Sequence, residues 1–194
     1  MAEILLFHHA CGLTPGVLAL ADRLREAGHV VHTPDLYDGA TFASIEEGVD
    51  HARSIGFSTI LQRGVAAADG LPSGLVYAGI SLGVMPAQCL AQTRAGARAA
   101  VLLESCVPPE EFGGAWPTAV PVQVHGMDAD PWFADGGDLD AARELVASTP
   151  LAQLFTYPGD NHLFTDSSRE RSASDEAAAE LVLQRVLAFL ATLG

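Results

Sequence analysis

The sequence predicts a single α/β domain over residues 1–194, with about six mostly parallel strands and helices on both faces of the sheet. Short apolar runs alternate with longer segments in which apolar residues recur at helical spacing. Strands that are apolar throughout are typical of a parallel sheet covered on both faces. No internal repeat, linker or low-complexity tract divides the chain, and its length suits one domain.

Turn and capping residues separate the predicted elements in chain order. Pro15 can open the first helix and Gly28 can end it, while a break near Gly56 divides the polar stretch from 44 to 69 into one or two helices. Further helices are predicted at about 81–96, 139–147 and 175–193. The six apolar runs that we expect to form strands are 4–9, 29–37 (ended by its proline), 73–80, 99–106, 118–126 and 152–159.

Composition excludes several classes of partner. The chain has 10 basic and 24 acidic residues and a net charge of −14, which disfavours nucleic acid and anionic lipid. Its apolar runs are shorter than the ~20 residues that span a bilayer, and no basic export signal follows Met1. Three cysteines, an odd number, argue against a disulfide framework. We therefore expect a cytoplasmic protein without a nucleic-acid or membrane partner.

The candidate nucleophile is Ser81, at the centre of the G-x-S-x-G sequence of residues 79–83. This sequence lies between a predicted strand and a predicted helix, the context in which such a serine occupies a sharp, strained turn. Glycines on both sides leave room for the strand and the helix to approach each other, and the helix start presents free amide groups. A simple packing turn is the alternative interpretation.

The other members of a catalytic triad follow the next strands. His162 lies beyond the sixth strand and can act as the base that a serine nucleophile needs. Asp130 is the preferred carboxylate because Pro131 favours an extended backbone and the next aromatic pair can exclude water, with Asp128 as the alternative. The chain order serine, aspartate, histidine is the order of an α/β-hydrolase.

An oxyanion hole requires two backbone donors. In this kind of site, one is the amide of the residue after the nucleophile, which is Leu82. The second should come from the loop after the first strand, where we expect the amide of Ala10.

The whole chain resembles the dienelactone hydrolase family of α/β-hydrolases. The resemblance is carried by ILLFHHACGLTPGV, TPDLYDG, GISLG, DADPWF and GDNHLF, at residues 4–17, 33–39, 79–83, 128–133 and 159–164. It implies a trimmed α/β-hydrolase fold that begins at the third strand of the full fold. It also places the acid just before an aromatic or Pro-aromatic pair, which favours Asp130.

The sequence departs from that family at three positions. The namesake enzymes carry a cysteine nucleophile, a glutamate in the oxyanion loop and a substrate-binding arginine four residues after the histidine. Here these positions hold Ser81, His9 and Asp166. An anionic dienelactone would lose a counter-ion and meet a carboxylate, so neutral or cationic substrates are expected instead.

The resulting hypothesis is a serine hydrolase, without cofactor or metal, that cleaves a small ester, thioester or lactone. The residues expected to contact the substrate are His9, Cys11, Tyr37 and Trp132. The adjacent histidines His8 and His9 suggest no metal site, because neighbouring side chains on a strand point to opposite faces. The alternative is a hydrolase-fold protein that binds a small molecule or has a regulatory role, without turnover. Under either hypothesis the protein could form a homodimer.

Overall fold

A computed structural model describes residues 1–194 and contains one six-stranded sheet. The strand order is β2-β1-β3-β4-β5-β6, and all five neighbouring pairs are parallel. The strands are β1 (Glu3–Phe7), β2 (Val30–His32), β3 (Val76–Ile80), β4 (Ala99–Leu103), β5 (Val122–Met127) and β6 (Ala152–Tyr157). The predicted α/β class and the six strands are confirmed.

Five of the six α-helices lie between strands, and the sixth follows β6. They are α1 (Pro15–Glu26), α2 (Ile45–Ile55), α3 (Phe57–Ala66), α4 (Val84–Thr93), α5 (Asp138–Ser148) and α6 (Ala173–Thr192). The predicted break between α2 and α3 is present at Gly56, whose φ of 91° is in the left-handed region that favours glycine. None of these helices combines the length and the apolar character needed to cross a membrane.

Alternating side chains of the strands form two cores, one on each face of the sheet. Leu5 and Phe7 of β1 belong to a cluster of 26 buried residues. Ile4 and Leu6 of the same strand belong to a second cluster of 24. The first cluster packs against α2 to α5, and the second packs against α1 and α6. This alternation is the two-residue period of a strand that is buried on both faces.

Several strands are shorter than predicted because proline and loop geometry end the pairing. The run at 29–37 pairs only over Val30–His32, two residues before Pro34, which has no backbone donor. The run at 4–9 pairs only to Phe7, so His8 and His9 lie in the loop that follows. These two strands therefore end before His8 and Pro34, and the residues that follow form loops at the carboxyl edge of the sheet.

Two buried histidines are held in the neutral form. In His8, Nδ1–H donates to the carbonyl of His9 at 2.8 Å and Nε2 accepts from the amide of Leu36 at 3.0 Å. Burial lowers the pKa of His8 to about 4. Burial also lowers the pKa of His125 to about 3. The Nδ1 atom of His125 lies 2.9 Å from the hydroxyl of Tyr157. Both side chains are fully buried.

The stability of the fold should therefore fall in mild acid. In the unfolded chain both histidines return to a pKa of about 6.5, so the unfolded state binds more protons below that pH. Their contribution is complete above about pH 6.5 and is lost toward pH 4, at up to about 1.4 kcal/mol per pH unit for each histidine. Urea unfolding from pH 7 to pH 4.5 measures the slope.

The variant His125→Gln should show a shallower slope than the wild type, because one of the buried histidines that gain a proton on unfolding is removed. A slope in His125→Gln that is as steep as the wild-type slope would contradict the assignment of a neutral buried His125.

Candidate active site

The chain bends sharply at Ser81, directly after β3. Ser81 has a φ of 50°, a left-handed conformation that is uncommon for a non-glycine residue. A Cβ on Gly79 would lie 2.2 Å from the carbonyl oxygen of Gly83, and a Cβ on Gly83 would lie 2.5 Å from that of Phe7. Both glycines are thus required for the close approach. Such a strained residue costs about 1–3 kcal/mol and persists only where its surroundings hold it.

Two hydrogen bonds connect Ser81 with a histidine and a carboxylate. His162 Nε2 lies 2.9 Å from Ser81 Oγ, and its Nδ1 lies 2.6 Å from Asp130 Oδ2. Asp130 is fully buried, and its second oxygen accepts from the amide of Trp132 at 2.9 Å. Asp128 is exposed, and its carboxylate bonds to a backbone amide in the neighbouring loop instead. Of the two candidate carboxylates, the structure brings Asp130 to the histidine.

The predicted oxyanion donors belong to two segments that approach each other next to this bend. The amide of Ala10 donates no hydrogen bond within the protein. The amide of Leu82 belongs to the first turn of the short 3-10 helix Ser81–Gly83, where amides have no intrahelical partner. Gly83 packs against the carbonyl of His8, and Gly48 of α2 packs against that of Ala10. These two contacts hold the loop after β1 next to the start of the helix.

Asp166 is buried rather than facing a substrate. Its carboxylate accepts hydrogen bonds from His9 Nε2 at 2.7 Å, from Thr14 Oγ1 at 2.6 Å and from Ser168. Burial by itself raises the pKa of Asp166, but the bonds from His9, Ser168 and Thr14 together hold it well below its usual value. The carboxylate also packs against Gly16 in the first turn of α1, which favours negative charge. The expectation that Asp166 would repel an anionic substrate directly is wrong.

Of the four residues expected to contact substrate, only Trp132 presents a surface at the site. Its side chain is 43% exposed, and its ring centroid lies 6.0 Å from that of His162. The expectation does not hold for His9, Cys11 and Tyr37, which are buried. His9 bonds to the aspartate described above, the Cys11 thiol donates to a carbonyl at the start of α2, and Tyr37 packs between two histidine rings.

Sequence analysis missed one titratable residue at the same edge. Glu104 directly follows β4, is 1% exposed and has a φ of 63°. Its carboxyl accepts hydrogen bonds from Thr165, three residues beyond the histidine. The available signal was an acidic residue at the end of an apolar strand, in the run AAVLLES. No three histidine, cysteine, aspartate or glutamate side chains come together in a way that could hold a metal ion.

Comparison with known proteins identifies the family. The sequence model of the dienelactone hydrolase family matches residues 1–194. No curated protein sequence matches the chain. The chain belongs to the dienelactone hydrolase family, as the sequence motifs indicate.

Solved structures share the fold at low sequence identity. A dienelactone hydrolase-like promiscuous phosphotriesterase from metagenomic libraries is 20% identical, with a TM-score of 0.70 over 98% of this chain and 87% of that one. Esterase 2 of Thermogutta terrifontis, phosphonylated by sarin, is 15% identical, with a TM-score of 0.70 over 100% and 84%. A cold-adapted esterase from an Arctic intertidal metagenomic library is 16% identical, with a TM-score of 0.65 over 95% and 82%. The fold is that of the α/β-hydrolases.

Replacing Asp166 by asparagine should destabilise the protein in a pH-dependent way. Because the folded pKa is depressed below the unfolded value of about 3.9, the contribution of the carboxylate is complete above about pH 4 and is lost as the pH falls. At pH 7 the free energy of unfolding of Asp166→Asn should be lower by at least about 2 kcal/mol, since charge-assisted hydrogen bonds are removed. Urea unfolding at pH 7 and pH 3 measures both values.

Asp160→Asn is the matched control, because Asp160 is an exposed carboxylate in the same loop. It should leave stability unchanged within about 0.5 kcal/mol. A deficit of Asp166→Asn that is as large at pH 3 as at pH 7 would contradict the buried, ionised carboxylate.

Proposed function

We propose that this member of the dienelactone hydrolase family is a serine hydrolase that cleaves a small ester, thioester or lactone without a cofactor. The observation that carries the proposal is the pair of hydrogen bonds, 2.9 and 2.6 Å long, from Ser81 through His162 to Asp130. A serine hydroxyl needs an adjacent base to act as a nucleophile, and the base needs a group that fixes its tautomer. A packing turn would need neither partner.

The geometry supports a two-step acyl transfer. Ser81 Oγ attacks the substrate carbonyl while His162 Nε2 accepts its proton, and Asp130 stabilises the imidazolium through Nδ1–H. The amides of Ala10 and Leu82 donate to the oxyanion of the tetrahedral intermediate. His162 then protonates the leaving group, and the acyl-serine forms. Water attacks this ester by the same proton transfers, which releases the acid and restores Ser81.

The charge of the site favours neutral or cationic substrates. The chain carries a net charge of −14. Burial raises the pKa of Asp138 and of Glu104, two carboxyls that lie near His162. An anionic acyl group would be opposed by this net negative charge and by Asp130, the hydrogen-bond partner of His162. Trp132 offers the adjacent exposed apolar surface, on which an uncharged acyl or alcohol group can pack.

A fluorophosphonate probe tests the nucleophile without knowledge of the substrate. The esterase from Thermogutta terrifontis is phosphonylated by sarin, which makes an organophosphorus reagent a suitable choice for this fold. Intact-mass analysis and peptide mapping should find one adduct, on Ser81, and none in Ser81→Ala. In His162→Ala the labelling rate should fall by about 10³-fold or more. Folded wild-type protein that remains unlabelled would refute the proposal.

A comparison of two aspartates tests the acid. Asp130→Asn should lower the labelling rate and kcat for p-nitrophenyl acetate by about 10³–10⁴-fold, because the histidine loses the group that fixes its tautomer. Asp128→Asn is the matched control in the same loop and should stay near the wild-type value. The reverse result would assign the role to Asp128.

A charge series of matched esters tests the substrate class. For equally reactive p-nitrophenyl esters with neutral, cationic and anionic acyl groups, kcat/KM should be lowest for the anionic ester, by about tenfold or more. Added salt should reduce the difference, because it screens the charges. A preference for the anionic ester would contradict the proposal.

A further inference from the structure

Glu104 is the lateral neighbour of Ser81 at the carboxyl edge of the sheet. Ile80 of β3 pairs with Leu103 of β4, so the next residue of each strand is Ser81 on one side and Glu104 on the other. Both leave their strands in the left-handed region, with φ values of 50° and 63°. The chain therefore makes two strained turns side by side, of which only the first belongs to the nucleophile motif.

The carboxyl of Glu104 is buried at a cost that must be offset. The residue is 1% exposed, and burial is the main cause that raises the pKa of its carboxyl. Its Oε2 has no hydrogen-bond partner in the protein. A buried polar group with an unpaired atom, on a strained backbone, persists where the surrounding structure holds it or uses it. A glycine would adopt this left-handed backbone without strain, so the presence of a glutamate at residue 104 requires an explanation.

The other oxygen of Glu104 supplies that explanation. Oε1 accepts hydrogen bonds from the backbone amide of Thr165 at 3.0 Å and from its hydroxyl at 2.8 Å. Thr165 is three residues after His162, and the loop between them turns at Leu163, whose φ is 65°. Glu104 thus holds the short segment that carries the histidine.

The next residue of that segment is held from the opposite side. Asp166 accepts from His9, in the loop after β1. In the strand order β1 and β4 are the two neighbours of β3. Consecutive loop residues are therefore attached to both neighbours of β3, and they follow His162, which bonds to Ser81, by three and four residues.

We infer that Glu104 is a positioning residue that holds His162 over Ser81 through its two hydrogen bonds to Thr165. The inference rests on the proposed serine-hydrolase function. The bonds require only an acceptor oxygen at the Oε1 position, which a glutamine amide also provides. A small displacement of a catalytic group is enough to lower the rate by about 10²-fold, so the effect should appear in the chemical step.

Two variants separate positioning from stability. Glu104→Gly removes both bonds but relaxes the left-handed backbone, so the protein should remain folded. Its kcat for p-nitrophenyl acetate and the rate of fluorophosphonate labelling of Ser81 should fall by about 10- to 100-fold, with KM changed less than about threefold. Glu104→Gln keeps the acceptor and the side-chain volume, so both rates should stay within about threefold of wild type. Thermal unfolding of each variant gives the fraction folded.

The outcomes distinguish this inference from the function on which it rests. An unlabelled wild type refutes the serine-hydrolase proposal and the inference with it. A labelled wild type with equally fast Glu104→Gly refutes the inference alone, and so does a Glu104→Gln variant as slow as Glu104→Gly. If Glu104→Gly does not fold, Thr165→Val removes only the hydroxyl donor; an unchanged labelling rate in that variant also overturns the inference.

Discussion

The close approach of the backbone at Gly83 to the end of β1 is the constraint on which the site depends. A Cβ at this position would lie 2.5 Å from the carbonyl oxygen of Phe7 and 2.6 Å from that of His8. The start of α4 can therefore reach the end of β1 only because residue 83 has no side chain. That contact places the helix amides beside the loop that carries Ala10, while the left-handed turn points Ser81 out of the sheet.

Buried carboxyls then determine where the histidine lies. Asp130 holds the imidazole itself, Glu104 holds Thr165 and Asp166 holds the loop to His9. Each of these carboxyls is buried. Inside the protein an unpaired charge or hydrogen-bonding atom is costly, so arrangements of the loop that break these bonds are disfavoured. The physical result is a preorganised arrangement of Ser81, His162 and Asp130, as the proposed proton transfer requires.

The fold was predictable because it is encoded in local patterns. Apolar runs of strand length, helical periodicity and the glycine at 56 give six strands and the break between α2 and α3 without long-range information. The nucleophile motif and the chain order of Ser81, Asp130 and His162 were equally visible. The preference for Asp130 over Asp128 came from the following proline and aromatic pair, which describe the local backbone.

The remaining features depend on side-chain direction after the strands end, which the sequence does not encode locally. His9 lies in a polar-looking loop, yet it turns inward to Asp166 and is fully buried. Glu104 contacts a residue 61 positions away, through a left-handed backbone that is rare for glutamate. Such contacts come from strand order and packing between distant segments. For this reason the buried contacts of the histidine loop were missed, whereas the proposed triad residues were visible in the sequence.

The central claim is that the bend at Ser81 places an activated hydroxyl next to two backbone amides that stabilise the oxyanion. A crystal structure of the protein after reaction with a fluorophosphonate tests it most directly. The account predicts phosphorus bonded to Ser81 Oγ and the phosphoryl oxygen about 2.7–3.1 Å from the amide nitrogens of Ala10 and Leu82. An unmodified Ser81, or an adduct whose phosphoryl oxygen points away from both amides, would contradict it.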